Sequence, residues 1–218
     1  ASAQDVTVLT GAAIREDHID GRHYFNSIST LTGDLHYDKR HLVPFSEYYP
    51  GFSLLKALAN FIGMPMAQFS VGESARLMAL GHDHIGLGVC YEADFLYELA
   101  QVNYAADCWL IVSDDGWFYP SWMADQHWQM VRLHAISLGK DIARVTNLGI
   151  TGVAQADGHA QSAAQPKDDL AAKLVQVHHY HGQTPYSQWR DTPMLGILSF
   201  ILGLVIIQYR RSASHTRD

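Results

Sequence analysis

The chain has 218 residues, 48% of them apolar and 17% charged, which is enough apolar side chain for a substantial core and too much for a disordered tail. Fifteen Lys and Arg against 22 Asp and Glu leave a formal charge of −7, whereas a nucleic-acid partner calls for a basic face that displaces phosphate counterions. Two cysteines, Cys90 and Cys108, exclude a multi-bridge secreted scaffold.

Residues 6–14 (VTVLTGAAI) and 23–31 (HYFNSISTL) read as strands, with Glu16 in a turn-like IREDHID and a second turn at Thr32-Gly33-Asp34. A helix is predicted over about 53–62 (SLLKALANFI). Strand-rich runs follow at 76–92 (RLMALGHDHIGLGVCYE) and 108–115 (CWLIVSDD). A second helix is predicted over about 121–138, with Met123, His127, Met130, Leu133, His134 and Leu138 along one face. Residues 143–158, turning at Asp157-Gly158, and 170–180 (LAAKLVQVHHY) read as further strands, and 161–173 is the most loop-like interior stretch. Strands alternating with helices indicate a layered α/β (α+β) domain.

The two ends differ from the middle. The chain opens without Met, basic n-region or apolar signal run, and its first residues already read as a strand inside a sheet. The expectation is a fragment whose upstream part lies elsewhere. From Thr192 to Tyr209 there are 18 residues with no formal charge, covering ~27 Å as a helix against the ~30 Å hydrocarbon core of a bilayer. Trp189 and Tyr209 flank the run and Arg210, Arg211 and Arg217 follow it, so the tail is expected to be cytoplasmic and the preceding domain outside. The alternative is a buried core helix, which would normally carry a polar stripe.

Several catalytic signatures are absent: GxSxG, HExxH, a P-loop and a complete GxGxxG. His82 and His84, and the group His178, His179 and His181, lack a Cys or carboxylate at familiar ligand spacing. They read as solvated loop residues, and no metal is expected. Cys90 ends the Gly-punctuated strand GLGVC, where a thiol faces a cleft instead of packing in a layer. A nucleophile also needs help to form the thiolate and to stabilise an oxyanion. The alternative is a small buried hydrophobe, which suits Cys108 at the entry of its apolar strand. Lys39, in the polar patch YDKRH before Leu42-Val43-Pro44-Phe45 and Glu47, is either a solvated lysine or a cation that favours a thiolate and donates to a developing O⁻.

In chain order, YDKRHLVPFSEYYP, GVCYE, SDDGWF, DQHWQMVRLHAISLGKDIARVTNLGITGV and GQTPYSQWRDTP followed by an apolar helix resemble the nitrilase (carbon–nitrogen hydrolase) superfamily, and within it the apolipoprotein N-acyltransferase branch. The resemblance covers about residues 24–211. It implies a four-layer αββα sandwich, truncated at its N-terminus, over residues 1–185, with a juxtamembrane linker at 186–191, a transmembrane helix at 192–209 and a cytoplasmic tail at 210–218. It implies a Glu–Lys–Cys triad in which Cys90 and Lys39 match two members, the glutamate base lying upstream of Ala1. Glu47, Tyr91, Glu92 and Trp117 match supporting residues of the active site, while Ser46, Asp114 and His134 stand where the branch prefers Gly, Asn and Arg. The implied activity moves a fatty acyl chain from a phospholipid, through a Cys90 thioester, to the diacylglyceryl-cysteine of a lipoprotein at the bacterial inner membrane, with no cofactor. A membrane-anchored amidase with the same Cys and Lys, and a non-catalytic membrane-tethered interaction module, are the alternatives.

Overall fold

The structure, a computed structural model, describes residues 6–19, 21–48, 69–73, 76–118, 120–164 and 174–215. Two sheets form. In the first, β1 (Leu9–His18) and β2 (Gly21–Thr30) make a long antiparallel hairpin, and β3 (His36–Asp38) pairs with the far side of β2. The second contains β4 (Leu77–Leu80), β5 (Asp83–Val89), β6 (Cys108–Asp114), β7 (Ile142–Asn147), β8 (Thr151–Ala154) and β9 (Ala160–Ala164), side by side in chain order. Its centre, β5–β6–β7, is parallel and its flanks are antiparallel. The parallel steps need crossovers, supplied by α1 (Leu96–Val102) and α2 (Met123–Leu138).

Two apolar clusters define the layers. Ile28 and Tyr37 of the first sheet meet Met78, Leu87 and Val89 of the second. On the opposite face of the second sheet, Trp109, Ile111 and Ile142 pack against Leu99 of α1 and Trp128, Val131, Ala135 and Leu138 of α2. Among the described residues the order is therefore sheet, sheet, helices. The helix predicted at 53–62 lies outside the described residues.

Gly86 shows how tightly the second interface is closed. It pairs with Trp109 across β5 and β6, and a Cβ there would meet the indole ring at 2.5 Å. Trp109 is fully buried, its Nε1 donating to Asn103 Oδ1 at 3.0 Å, so the ring cannot retreat without losing that bond. Gly86→Ala should cost about 1–3 kcal/mol by overpacking, read as a lower denaturant midpoint with an unchanged slope.

Several sequence expectations are corrected. Glu16 is not in a turn: β1 runs on to His18, because the hairpin pairs as far as His18 with Gly21. The stretch beginning at 161 is not all loop, since β9 occupies Ala160–Ala164. The part of 170–180 that is described, 174–180, forms no strand. It is held instead by one backbone bond, Tyr180 N to Asp107 O at 3.0 Å, and by side chains. Along α2 the buried stripe is His127, Trp128, Val131, His134, Ala135 and Leu138, whereas Leu133 is exposed. Residues 186–191, expected as a juxtamembrane linker, include most of α3 (Pro185–Trp189), which starts on Thr184, whose side chain accepts from Ser187 N. Only Arg190 and Asp191 separate α3 from α4 (Thr192–His215). Tyr186 of α3 packs on the core, and Arg190 lies 5.3 Å over the Tyr97 ring.

Candidate active site

The carboxyl ends of β5, β6 and β7 open into a cleft of about 850 Å³ whose opposite wall is β1. Ligands of parallel sheets gather at this edge, where the strands end and the crossovers begin. Cys90, Glu47 and Trp117 line the cleft. Trp117 is 84% exposed at its rim.

Cys90 is the first residue after β5 and the first of a 3-10 turn, Cys90–Asp94. Its φ of 51° is uncommon for a residue with a Cβ and marks a backbone held by its surroundings. The holder is Glu92, which is fully buried. Its Oε2 accepts from Val89 N at 2.8 Å and its Oε1 from Arg40 N at 2.9 Å and His41 N at 3.1 Å. The Tyr37 hydroxyl donates to both oxygens, and Arg76 Nη1 lies 3.0 Å from Oε1. One carboxylate thus fastens the cysteine turn to the loop after β3. Burial, reinforced by the Glu92 charge, pushes the Tyr37 phenol well above its ordinary range.

Lys39 sits in that fastened loop, between Asp38 and Arg40, and is fully buried. Its ammonium contacts both oxygens of Glu47, at 2.9 and 2.8 Å. Glu47 also accepts from Asn26 Nδ2 at 2.9 Å and Val43 N at 2.7 Å. The solvated-lysine alternative is therefore wrong: this cation lies behind the cleft-lining carboxylate. Tyr91 packs edge-on against His41 and Phe95, with ring centroids 5.7 and 4.9 Å away. Cys108, by contrast, is buried, and burial with the charge of Asp107 pushes its thiol up to about 11. It suits packing, not attack.

Sequence reasoning missed Asn26, which lines the cleft, and Arg76, which pairs with Glu92 and Glu98. No local pattern singled out Asn26, since its strand also carries Arg22, His23, Ser27, Ser29 and Thr30. The histidines are not simply solvated: His178 and His179 each lie 2.9 Å from a carboxylate, those of Asp141 and Asp83, and His181 lies 3.2 Å from Asp107. His84 belongs to β5. Among the described residues one trio, Glu16, His36 and Asp38, has ligand atoms within 4.8 Å of one another. His36 lies 3.6 and 3.4 Å from the two carboxylates, an arrangement that ion pairing alone explains.

Residues 1–184 match the family model for carbon–nitrogen hydrolases. The chain belongs to the carbon–nitrogen hydrolase family. Among curated relatives of this carbon–nitrogen hydrolase, apolipoprotein N-acyltransferases of Methylococcus capsulatus and Pseudomonas syringae are each 33% identical, over 98% and 97% of the chain. That of Vibrio cholerae is 32% identical over 94%. The chain spans about two-fifths of the length of these relatives, 42% in each. The fold is shared with a carbon–nitrogen hydrolase superfamily protein of Xanthomonas campestris, with TM-score 0.51 and 17% identity over 88% of this chain and 68% of that one. A carbon–nitrogen hydrolase of Helicobacter pylori gives TM-score 0.53 at 18% identity over 75% and 59%. One described helix, Thr192–Arg210 within α4, is long and apolar enough to cross a membrane, and none of that span is buried.

Proposed function

We propose that the chain carries the nucleophile half of an apolipoprotein N-acyltransferase. The observation that carries the reading is Cys90, on a positive-φ turn at the mouth of a cleft, fastened through Glu92 to the loop that holds a buried lysine. The relatives' name supplies the substrate class, and the unburied apolar helix supports a lipid environment. In this reading residues 1–185 complete a four-layer αββα sandwich with the remainder of the protein. Residues 192–209 then cross the inner membrane, with the domain on the periplasmic side.

A glutamate from the part of the relatives not covered here takes the Cys90 proton. The sulfur attacks the ester carbonyl of a phospholipid, and Lys39 with a backbone N–H stabilises the tetrahedral oxyanion. The C–O bond breaks, the lysophospholipid oxygen takes up the proton, and a thioester remains on Cys90. The α-amino group of a diacylglyceryl-cysteine then attacks that carbonyl, the C–S bond breaks, and the thiolate regains a proton from the amine. Extracting an acyl chain into water would cost ~0.8 kcal/mol per CH₂, so a site beside the bilayer avoids that cost. No metal or organic cofactor enters the scheme.

Given phospholipid with a radiolabelled acyl chain, the complete protein should acquire a hydroxylamine-sensitive label. Cys108→Ser should keep the label and Cys90→Ser should abolish it. Label that persists on Cys90→Ser rejects the nucleophile.

A further inference from the structure

Beneath the cleft lies a set of buried charges that the proposed reaction does not use. Asp94 ends the 3-10 turn that begins at Cys90, and Asp115 begins the 3-10 turn Asp115–Phe118 that carries Trp117. Between them, from α2, comes His127, only 5% exposed. Its Nε2 lies 3.6 Å from Asp94 Oδ2 and its Nδ1 lies 3.8 Å from Asp115 Oδ1. Arg144 donates through Nη2 to Asp115 at 3.1 and 2.8 Å, and Ser113, in the cleft wall, donates to Asp115 Oδ1 at 2.6 Å.

Two carboxylates, Asp115 buried and Asp94 about one-fifth exposed, face one guanidinium, so a proton on the buried imidazole balances the cluster, and an unbalanced charge is costly there. Attraction to the Asp115 and then the Asp94 carboxylate lifts His127 to about 9 against the opposing effect of burial. Arg144 Nη2 also lies 3.3 Å from Nδ1, a like-charge approach tolerated because Asp115 faces both. The same carboxylate is opposed most by its own burial. The nearby His127, the hydrogen bond from Ser113 and the Arg144 charge outweigh that opposition and hold it at about 2. His134, further along α2, also faces Asp94 and bonds the Ala93 backbone, but burial lowers its pKa. It stays neutral and cannot replace the charge. Asp94 Oδ1 and His127 Nε2 have no hydrogen-bond partner among the described residues, so Asp94 depends on the imidazolium across that 3.6 Å gap.

We propose that His127 is a positioning residue for Cys90, its imidazolium tying the turn that starts at the cysteine to the loop that closes the far wall of the cleft. The role rests on the reading of Cys90 as the acylated nucleophile. With the charge gone, Asp94, whose side chain is about one-fifth exposed, loses its ion pair at one end of a five-residue turn whose other end is the thiol.

The test is a double-mutant cycle on the complete protein, comparing His127→Gln, Asp94→Asn and the pair. Each single variant should lower the kcat of Cys90 acylation about 10-fold with KM changed less than about twofold, and the charge-balanced pair should recover to within about threefold of wild type. Iodoacetamide alkylation of Cys90, followed by mass of its peptide, should show the same loss and recovery without any acyl donor. Wild-type rates in either single variant, or losses that simply add in the pair, overturn the proposal. Where His127→Gln fails to fold, Asp94→Asn keeps the imidazolium and decides alone: undiminished alkylation there is the refuting result. A wild-type protein that takes no acyl label, yet shows the alkylation cycle, sets aside the acyltransferase reading and leaves the positioning role standing.

Discussion

Lys39→Met should slow acylation of Cys90 by about 10²- to 10³-fold, the usual loss when one oxyanion donor is removed. The lysine is fully buried and its ammonium contacts both oxygens of Glu47, which itself lines the cleft. Met conserves the length of the side chain, so the lost charge and its N–H donors dominate the effect. Single-turnover labelling with acyl donor in excess separates the chemical step from lipid binding. A rate within threefold of wild type would remove Lys39 from the mechanism. Lys39→Arg should not rescue, because a planar guanidinium cannot place its donors where a compact ammonium does in so closed a site.

Glu92→Gln carries the largest expected loss of stability, about 3–5 kcal/mol, the range found when one partner of a buried ion pair is deleted. The amide retains one acceptor oxygen but presents an NH₂ to a site filled with donors: Tyr37 hydroxyl, Val89 N, Arg40 N, His41 N and Arg76. Denaturant unfolding of the purified protein checks it, and a change below about 1 kcal/mol would contradict the account of Glu92 as the fastener. Because the carboxylate spans the Cys90 turn and the Lys39 loop, alkylation of Cys90 should slow in the same variant under folding conditions.

Much of the frame was legible because local pattern and final structure agree. HYFNSIST and CWLIVSD are β-rich runs bounded by turn residues, and both became strands, β2 and β6. The placement of Cys90 at a strand end was legible because a glycine-spaced strand leads into it. The partners of Glu92 were not, since its donors come from positions 37, 40, 41, 76 and 89, which no spacing rule brings together. The His127 cluster is similar, joining one helix, two 3-10 turns and β7 through side chains alone. The α2 face was misassigned because Met130 and Leu133 fit the helical period as well as Trp128 and Val131 do. Only the position of the sheet chooses between those stripes. Segment 174–180 misled for the opposite reason: its composition suits a strand, but it is pinned by one backbone bond to Asp107 and by His178 and His179 on Asp141 and Asp83.

The two-residue junction at Arg190 and Asp191 has a mechanical corollary. In the proposed reading, a domain whose last docked turn ends at Trp189 and whose membrane-crossing helix begins at Thr192 has only two residues of slack with which to rise, swivel or dip. Its altitude above the bilayer would then be set by the backbone, and the acyl chains of the proposed substrates would have to climb to a stationary doorway.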